Sequence, residues 1–326
     1  MLGYFVTAFT FIGTLIGAGF ASGKEIALFF GDAGVPSVLL AGIACGSIAY
    51  PFMRIGALTG GNVAKGVFHS HPEYAELVLR FVNFLVLATV LAAAEYLAYE
   101  LFGFHGGAVV TGIAALIANS SGMRGIKAVN AVIVPVIIAL VILIIALKGF
   151  SSVTGRVRVL SPLLYSAMNA LSAGLVTAKI SGSLTRKGAL CVSVIIAAGV
   201  SALLLMVRSA IVGNADADMP LYAVAANNGL RIAGAIVIYS AIFTTAAGTL
   251  GLAAKENSAF SPIITVSFAF LVSSVGFGNL VKYTYPFIGA VGIGFAALAS
   301  FMLARKKIRQ CPCNNTSILV QYERRN

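Results

Sequence analysis

The sequence has very little charge, no tryptophan, and only three histidines and four cysteines. Charged residues make up 10% of its 326 residues and hydrophobic residues 59%, with a mean hydropathy of +0.98. Soluble domains carry about 25% charged residues, so a soluble fold of this length could not cover its surface. The same composition excludes a disordered chain. The sequence therefore predicts an all-α integral membrane protein that is solvated mostly by lipid.

The sequence also lacks the signatures of enzymes and of bound cofactors. It has no His-Glu-x-x-His motif and no paired acids in the middle of an apolar run. His69 and His71 could bind a metal ion from a loop, but an exposed connection explains them better. Cys45 and Cys191 lie in apolar runs, as packing residues do. We predict no enzymatic activity and no cofactor, with a sodium ion as the one ligand left open.

The net charge of +12 does not indicate a nucleic-acid partner. Lys and Arg stand singly at the ends of apolar runs, where such residues set membrane topology. With the N-terminus inside, the inner loops hold more basic residues than the outer ones. We therefore predict a cell-membrane protein with both termini in the cytoplasm. Its partners would be the lipid bilayer and a small-molecule substrate, and the sequence leaves the oligomeric state open.

Ten apolar segments are long enough to cross a bilayer, or nearly so. Their predicted bounds are 2–30, 35–58, 75–102, 105–120, 125–148, 161–182, 187–212, 230–254, 258–277 and 279–303. The stretch MPLYAVAANNG before the eighth span is too polar to cross a membrane and is compatible with a short external helix. Residues 304–326 are polar and basic, and we predict a disordered cytoplasmic tail.

An internal repeat relates the two halves of the chain. AGFASGK at 18–24 matches AGLVTAK at 173–179, and the offset of 155 also carries spans one to five onto spans six to ten. Because each half has an odd number of spans, the second half must be inserted upside down. The sequence thus predicts one domain, 1–303, with repeats 1–150 and 156–303. Many secondary transporters have this inverted architecture.

Three glycines lie close together in the first span, in IGAGFASG at 16–23. Each costs about 1 kcal/mol relative to Ala inside a helix. They could serve tight helix packing through small residues. They could instead mark a break, whose freed backbone groups are tolerated only where they line a cavity or bind a ligand. The matching segment of span six, Ser166–Ser172, is also small and polar, which favours breaks in both spans.

The segments GTLIGAGFASGKEI, IFTTAAGTLGLA and SSVGFGNLVKYTYPFIG resemble the YkvI-like family of bacterial and archaeal membrane proteins. The resemblance covers residues 1–303. It implies a relation to the amino acid–polyamine–organocation superfamily, and hence a LeuT-like fold with a 5+5 inverted repeat and broken helices 1 and 6. Lys24 stands where relatives are expected to have Gln.

The resemblance also implies where a substrate would bind. In LeuT-type transporters the two broken helices enclose the substrate, here Gly17, Ala18, Gly19 and Ser22 from span one, and Tyr165, Ser166 and Asn169 from span six. Tyr165 could instead be an aromatic residue at the membrane interface.

A sodium site is implied in the same way. The carbonyls of Ile16 and Gly17 and the hydroxyls of Thr244 and Thr245 resemble the second sodium site of LeuT-like carriers. A threonine in a membrane helix more often bonds the carbonyl four residues earlier, so that alternative stays open.

Ionisable residues are predicted near the ends of the spans. Counting along a straight helix places Lys24 and Glu25 about 35 Å into span one, near its outer end. With Glu95 they could form an outer gate, or they could be anchors that reach the interface. Because no acid or base is predicted at mid-depth, a proton relay is disfavoured and a sodium site of neutral oxygens is favoured.

These observations predict a secondary active transporter of a small organic solute, an amino acid or a related carboxylate, that works by alternating access. Sodium coupling is favoured, and a proton-coupled carrier, with Lys24, Glu25 and Glu95 as its proton candidates, or an uncoupled carrier is left open. The alternative is a membrane sensor or assembly factor that retains the fold without transport. A passive channel would need a continuous polar stripe, which these spans lack.

Overall fold

The computed structural model describes residues 2–68, 72–120, 123–182, 184–254 and 261–305, and these form helices joined by short connections. Within those ranges, the strand-like pairing is a single bridge between Ala33 and Arg156. The predictions for His69 and His71 and for the tail beyond Arg305 fall outside the described residues.

The first half of the chain forms a series of apolar helices, and some of them are short because the backbone is interrupted between them. Its helices are α1 (Leu2–Leu15), α2 (Ala18–Ser22), α3 (Lys24–Phe30), α4 (Val35–Thr59), α5 (Val63–Val67), α6 (Pro72–Phe102), α7 (Gly107–Ser120) and α8 (Met123–Lys148). The second half comprises α9 (Leu160–Asn169), a π-helix (Ala170–Gly174), α10 (Leu175–Ile180), α11 (Arg186–Ala210), α12 (Pro220–Asn227), α13 (Arg231–Ala253), α14 (Ser261–Ser273) and α15 (Phe277–Ala304).

The described helices have the length and composition of membrane spans. Six helical stretches are long and apolar enough to cross a bilayer, and four more of 10–17 residues are apolar but shorter. Large apolar side chains such as Phe9, Ile113, Val194 and Leu271 face outward, each more than half exposed. Soluble proteins do not leave apolar surface of this extent facing water. The chain is a multi-pass membrane protein whose surface is covered by lipid.

The first span consists of three short segments. Helix α1 ends at Leu15, Gly17 is extended with φ −104° and ψ −166°, and α2 starts at Ala18. A second interruption follows at Gly23, whose φ of +78° lies in the left-handed region that glycine tolerates best. A Cβ at Gly23 would also lie 3.0 Å from the backbone nitrogen of Leu221. The clustered glycines therefore serve backbone geometry at Gly17 and Gly23.

The sixth span differs from the prediction. We expected an interruption near Ser166–Ser172, but α9, the π-helix and α10 follow one another without a gap. The polar side chains bond carbonyls of their own turns, as Asn169 does to Tyr165 and Ser172 to Asn169. One residue too many in a turn widens the helix locally without opening it. Span six has polar residues but no clustered glycines, and it contains a π-helix where a break was predicted.

Two basic residues at the ends of apolar spans cap helices. The Lys148 ammonium donates to the carbonyls of Ala210 (2.9 Å) and Val212 (2.6 Å) at the end of α11. Arg208 is buried, and its guanidinium donates to the carbonyls of Phe30 and Gly31, both at 2.7 Å. Cations at helix C-termini satisfy free carbonyls and oppose the helix dipole. These contacts tie the end of α3 to α11 and α11 to α8.

Candidate functional site

A buried polar cluster lies where the interrupted first span meets α9 and α15. We call Gly19, Glu25, Tyr165, Asn169 and Tyr285 the central cluster. Glu25 is 5% exposed, and the Asn169 amide donates to its Oε1 at 3.3 Å. A Cβ at Gly19 would lie 2.6 Å from Glu25 Oε2 and 2.8 Å from the Tyr285 hydroxyl, so both oxygens face the bare glycine backbone.

The central cluster lies near the middle of the bundle. Asn169 is the tenth residue of the 21-residue stretch Leu160–Ile180, so it sits about halfway along that span. Glu25 contacts Asn169 and is therefore at the same depth. The prediction that Glu25 lies near the outer boundary is wrong, because it assumed one straight helix, whereas the backbone is interrupted at Gly17 and again at Gly23.

Tyr165 belongs to the interior and not to the membrane interface. Its side chain is fully buried, and its ring packs edge-on against Phe29 and Phe30, with centroids 5.7 and 5.2 Å apart. Its hydroxyl lies beside the Glu25 carboxyl, yet among the described residues it has no well-formed hydrogen bond. Each unpaired buried hydroxyl costs about 1–3 kcal/mol, so this one is available to form a hydrogen bond with a ligand or with a protonated carboxyl group.

The other two gate candidates lie in an open cavity that Glu25 does not line. We call this cavity, of about 580 Å³ and lined by Lys24, Glu95, His105, Asp218 and Lys282 among others, the vestibule. The Lys24 ammonium is 3.3 Å from Asp218 and donates to the carbonyl of Ala217 at 3.0 Å. The structure thus brings Lys24 and Glu95 to one cavity and separates them from Glu25.

Glu95 has a local partner set of its own. Its carboxylate accepts from the backbone N–H groups of Gly106 and Ala108, at 3.1 and 2.9 Å, and lies 3.0 Å from His105 Nδ1. A carboxylate at the start of a helix satisfies free N–H groups and the helix dipole. Backbone bonding also lowers the free energy of the ionised form, so Glu95 anchors the start of α7 at the wall of the vestibule.

Thr245 reaches the interruption of the first span, as the predicted ion site requires, whereas Thr244 does not. The Thr245 hydroxyl accepts from the backbone N–H of Ala18 at 3.2 Å and donates to the carbonyl of Ala241 at 2.7 Å. The Thr244 hydroxyl bonds Ala241 of its own helix at 3.2 Å. The Gly17 carbonyl accepts from the Ala21 N–H. Thr245 therefore caps α2.

The serines of the predicted substrate site bond backbone groups. The Ser22 hydroxyl donates to the carbonyl of Gly19 at 3.0 Å and accepts from the N–H of Lys24 at 3.3 Å. The Ser166 hydroxyl is 2.9 Å from the carbonyl of Ala41 and 2.8 Å from that of Pro162. Both side chains stabilise the backbone around the central cluster.

Sequence reasoning missed two residues of this region. Tyr285 of α15 completes the central cluster, and Asp218 closes the ion pair with Lys24. For Tyr285 the signal was the polar run KYTY inside an otherwise apolar span. For Asp218 there was none, because the loop before α12 folds back over the end of α2.

Comparison with known proteins finds a relative in sequence and similar solved structures. No protein-family profile matches the chain. The chain is 24% identical over 323 residues to a protein of Bacillus subtilis (strain 168) described as uncharacterized membrane protein YkvI, and the match covers 88% of this chain and 92% of that one.

Two of the solved structures that the chain resembles are of Mhp1, a nucleobase-cation-symport-1 family transporter. The inward-facing conformation matches with a TM-score of 0.61 and 14% identity, over 94% of this chain and 77% of Mhp1. The closed conformation with bromovinylhydantoin bound matches with a TM-score of 0.56 and 16% identity, over 93% and 79%. At such identities the likeness establishes the fold, and Mhp1 has the LeuT-type fold. The chain is a multi-pass membrane protein with that fold, related to the YkvI-like proteins that its sequence resembles.

Proposed function

We propose that the chain is a secondary active transporter that binds a small organic solute at the central cluster and exposes it to each side of the membrane in turn. The observation that carries this proposal is the interrupted first span at Gly17, packed against buried polar groups at mid-depth. Backbone polar groups within a bilayer are tolerated where they line a cavity or hold a ligand. An amino acid or related carboxylate suits the site, because its oxygens could accept from N–H groups near the start of α2.

Alternating access needs two halves that can move against each other, and contacts within the bundle support such an inverted pair. Helices α4 and α11 run antiparallel, with Gly42 packed against Ser201 and Gly46 against Ala197. The offset of 155 carries Gly42 onto Ala197 and Gly46 onto Ser201. The two contacts therefore exchange under the repeat, as contacts across a two-fold axis do.

A second pair of contacts follows the same rule. Gly23 packs against Ile211, and Gly56 packs against Ala178. The offset of 155 carries Gly23 onto Ala178 and Gly56 onto Ile211, so these contacts also exchange. Four contacts at two depths thus favour a 5+5 inverted repeat of ten spans, although span six is not broken at its centre.

The proposal is tested by a thermal-shift screen of the purified protein. A solute that binds the native state raises its stability by about 2.7 kcal/mol when present at 100 times its dissociation constant. We expect at least one of the common amino acids to raise the unfolding temperature in sodium chloride, and the matched solution without that amino acid to leave it unchanged. Binding without uptake into proteoliposomes would instead favour the alternative, a sensor that keeps the fold without transport.

We further propose that sodium binds at the interruption, held by the Thr245 hydroxyl and carbonyls near Ile16 and Gly17, with Thr244 behind it. Changing both threonines to Val keeps their shape and removes two hydroxyls. The double variant should lose the sodium-dependent part of the thermal shift. Because Thr245 caps the Ala18 N–H, it should also lose about 1 kcal/mol of stability in sodium-free solution.

The matched control for this variant is Thr249→Val. Thr249 lies one turn further along α13, and its hydroxyl bonds the carbonyls of Thr245 and Ala246 within that helix. The Thr249→Val variant should keep the sodium-dependent part of the thermal shift. A double variant that responds to sodium as the wild type does would place the ion elsewhere.

A further inference from the structure

The carboxyl group of Glu25 is buried with no cation beside it. Across the described ranges, the ion pairs of the chain do not include Glu25. The neighbouring Lys24 points away, to Asp218 and the carbonyl of Ala217. Arg208, from the adjacent α11, is engaged by the carbonyls of Phe30 and Gly31. Both of these cations therefore have partners other than Glu25.

The groups that do face Glu25 are neutral. Asn169 and Tyr165 come from α9, Tyr285 from α15 and Cys45 from α4. Helix α2 contributes only small and apolar residues, together with Ser22. The one titratable residue of α12, Tyr222, is bonded to Arg231. Lys282 of α15 is exposed and lies over the ring of Tyr283, so among the described residues no element packed against α3 brings a cation into an ion pair with Glu25.

An ionised carboxylate in such a place is costly. Burying an isolated charge costs far more than burying a hydrogen-bonded neutral group. One amide donor at 3.3 Å does not replace the hydration of an ionised carboxylate. A carboxylic acid carries no charge and gains an O–H donor, for which the buried hydroxyl of Tyr165 is an unpaired partner.

The side of the Glu25 carboxyl group that faces Gly19 is closely packed. A methyl group at Gly19 would already lie 2.6 Å from Oε2, and the Tyr285 hydroxyl closes the same side. In this closed arrangement, an ammonium group or a hydrated metal ion on that side would need room that the Tyr285 hydroxyl occupies. A proton needs none.

We propose that Glu25 is a proton-binding site that couples transport to the proton gradient. The carboxyl group holds its proton while the central cluster is closed. When the site opens, the proton passes from the carboxyl oxygen to water and leaves a hydrated carboxylate, with no change of oxidation state. This deepens the proposed function and rests on it, since coupling requires that the site opens to both sides.

The direction of the pH effect follows from which form holds the proton. The closed form binds the proton more tightly, so low pH favours closure and rising pH favours opening. Release of one proton changes the closed–open equilibrium by up to about tenfold per pH unit. Removing the titrating group should abolish that dependence.

The protonation state can be measured directly, without any substrate. Infrared spectra of the wild-type protein at neutral pH should contain a carboxylic acid C=O band that shifts in heavy water. Glu25→Gln should lack this band, whereas Glu100→Gln, which changes an exposed carboxylate, should keep it. A wild-type spectrum without the band, or one that Glu25→Gln leaves intact, would overturn the proposal.

Opening of the site can be followed at Cys45, which is fully buried and lies beside Ser166. The protein would carry Cys191→Ser, Cys311→Ser and Cys313→Ser, so that maleimide reports on Cys45 alone. Thiolate formation by itself raises the labelling rate about tenfold per pH unit below the thiol pKa. We expect a steeper rise in the otherwise wild-type protein, up to about 100-fold per unit, and the simple tenfold rise with Glu25→Gln.

The infrared and labelling measurements, together with an uptake assay, separate failure of the proton site from failure of the proposed transport. Equal pH slopes with and without Glu25 would refute proton-linked opening, while leaving a transporter driven by another ion intact. Uptake that is absent under every gradient, with the infrared band present, would refute the proposed transport and leave the proton site standing.

Discussion

Replacing Gly19 by Leu is expected to reduce uptake of a radiolabelled amino-acid mixture into proteoliposomes to the level of empty liposomes. A Cβ at this position already meets Glu25 Oε2 at 2.6 Å and the Tyr285 hydroxyl at 2.8 Å. A branched side chain would drive both groups out of the central cluster, and overpacking of this kind costs about 1–3 kcal/mol or more. Uptake by Gly19→Ala should lie between that of the wild type and that of Gly19→Leu, because the Glu25 carboxyl group can rotate away from a single methyl group.

The matched control is Gly294→Leu, on the same kind of helix interior. A Cβ at Gly294 meets nothing within 4 Å, and the position is exposed to lipid. This variant should retain uptake and elute as the wild type does. Gly19→Ala guards against simple misfolding of the leucine variant, since it should fold and still lose part of the uptake. Unchanged uptake with Gly19→Leu would mean that the glycine serves packing alone.

Apolar runs made the helices predictable from the sequence. Predicted spans such as 35–58 and 187–212 end within two residues of α4 and α11, because Gly and charged residues stop a helix where it leaves lipid. The short polar helix before the eighth span was also predicted, and α12 lies at Pro220–Asn227. The break in span one could be predicted as well, because the clustered glycines and the repeat favoured a break over tight helix packing.

Side-chain depth could not be predicted in the same way. The sequence places Glu25 one residue after Lys24, yet Lys24 faces the vestibule and Glu25 the central cluster. Successive residues of a helix lie about 100° apart, so neighbours in the chain can face water and protein interior respectively. The left-handed turn at Gly23 sets which face α3 presents to α9. A single turn of this kind leaves no periodic pattern of residues from which that face could be predicted.

Long-range polar contacts were the least accessible part of the site. Thr245 was assigned to the interruption through resemblance, and the structure brings its hydroxyl to the Ala18 N–H. The same resemblance offered no role for Tyr285, which only the packing of α15 against α9 brings to Glu25. Residues that come together from four different spans are far apart in the sequence, so no regular spacing between them could have predicted their contacts.

Labelling of the loops in intact cells is expected to give an all-or-none result. Asp216 and Arg186 are both exposed, and they lie at opposite ends of the 25-residue helix α11: Arg186 is its first residue and Asp216 follows its last turn. A helix of that length spans about 37 Å, enough to separate the two sides of a bilayer. With the N-terminus inside, Asp216→Cys should react with a membrane-impermeant maleimide and Arg186→Cys should not.

The control is the same pair of variants in detergent-permeabilised cells, where both thiols should react. Cys45 would be changed to Ala and Cys191, Cys311 and Cys313 to Ser beforehand, so that the engineered thiol reports alone. The orientation argument depends on the positive-inside bias of Lys and Arg in short loops. Because an inverted repeat of five spans places both termini on the same side, an external thiol at Arg186 would overturn the orientation, and labelling of both thiols from outside would refute α11 as a membrane span.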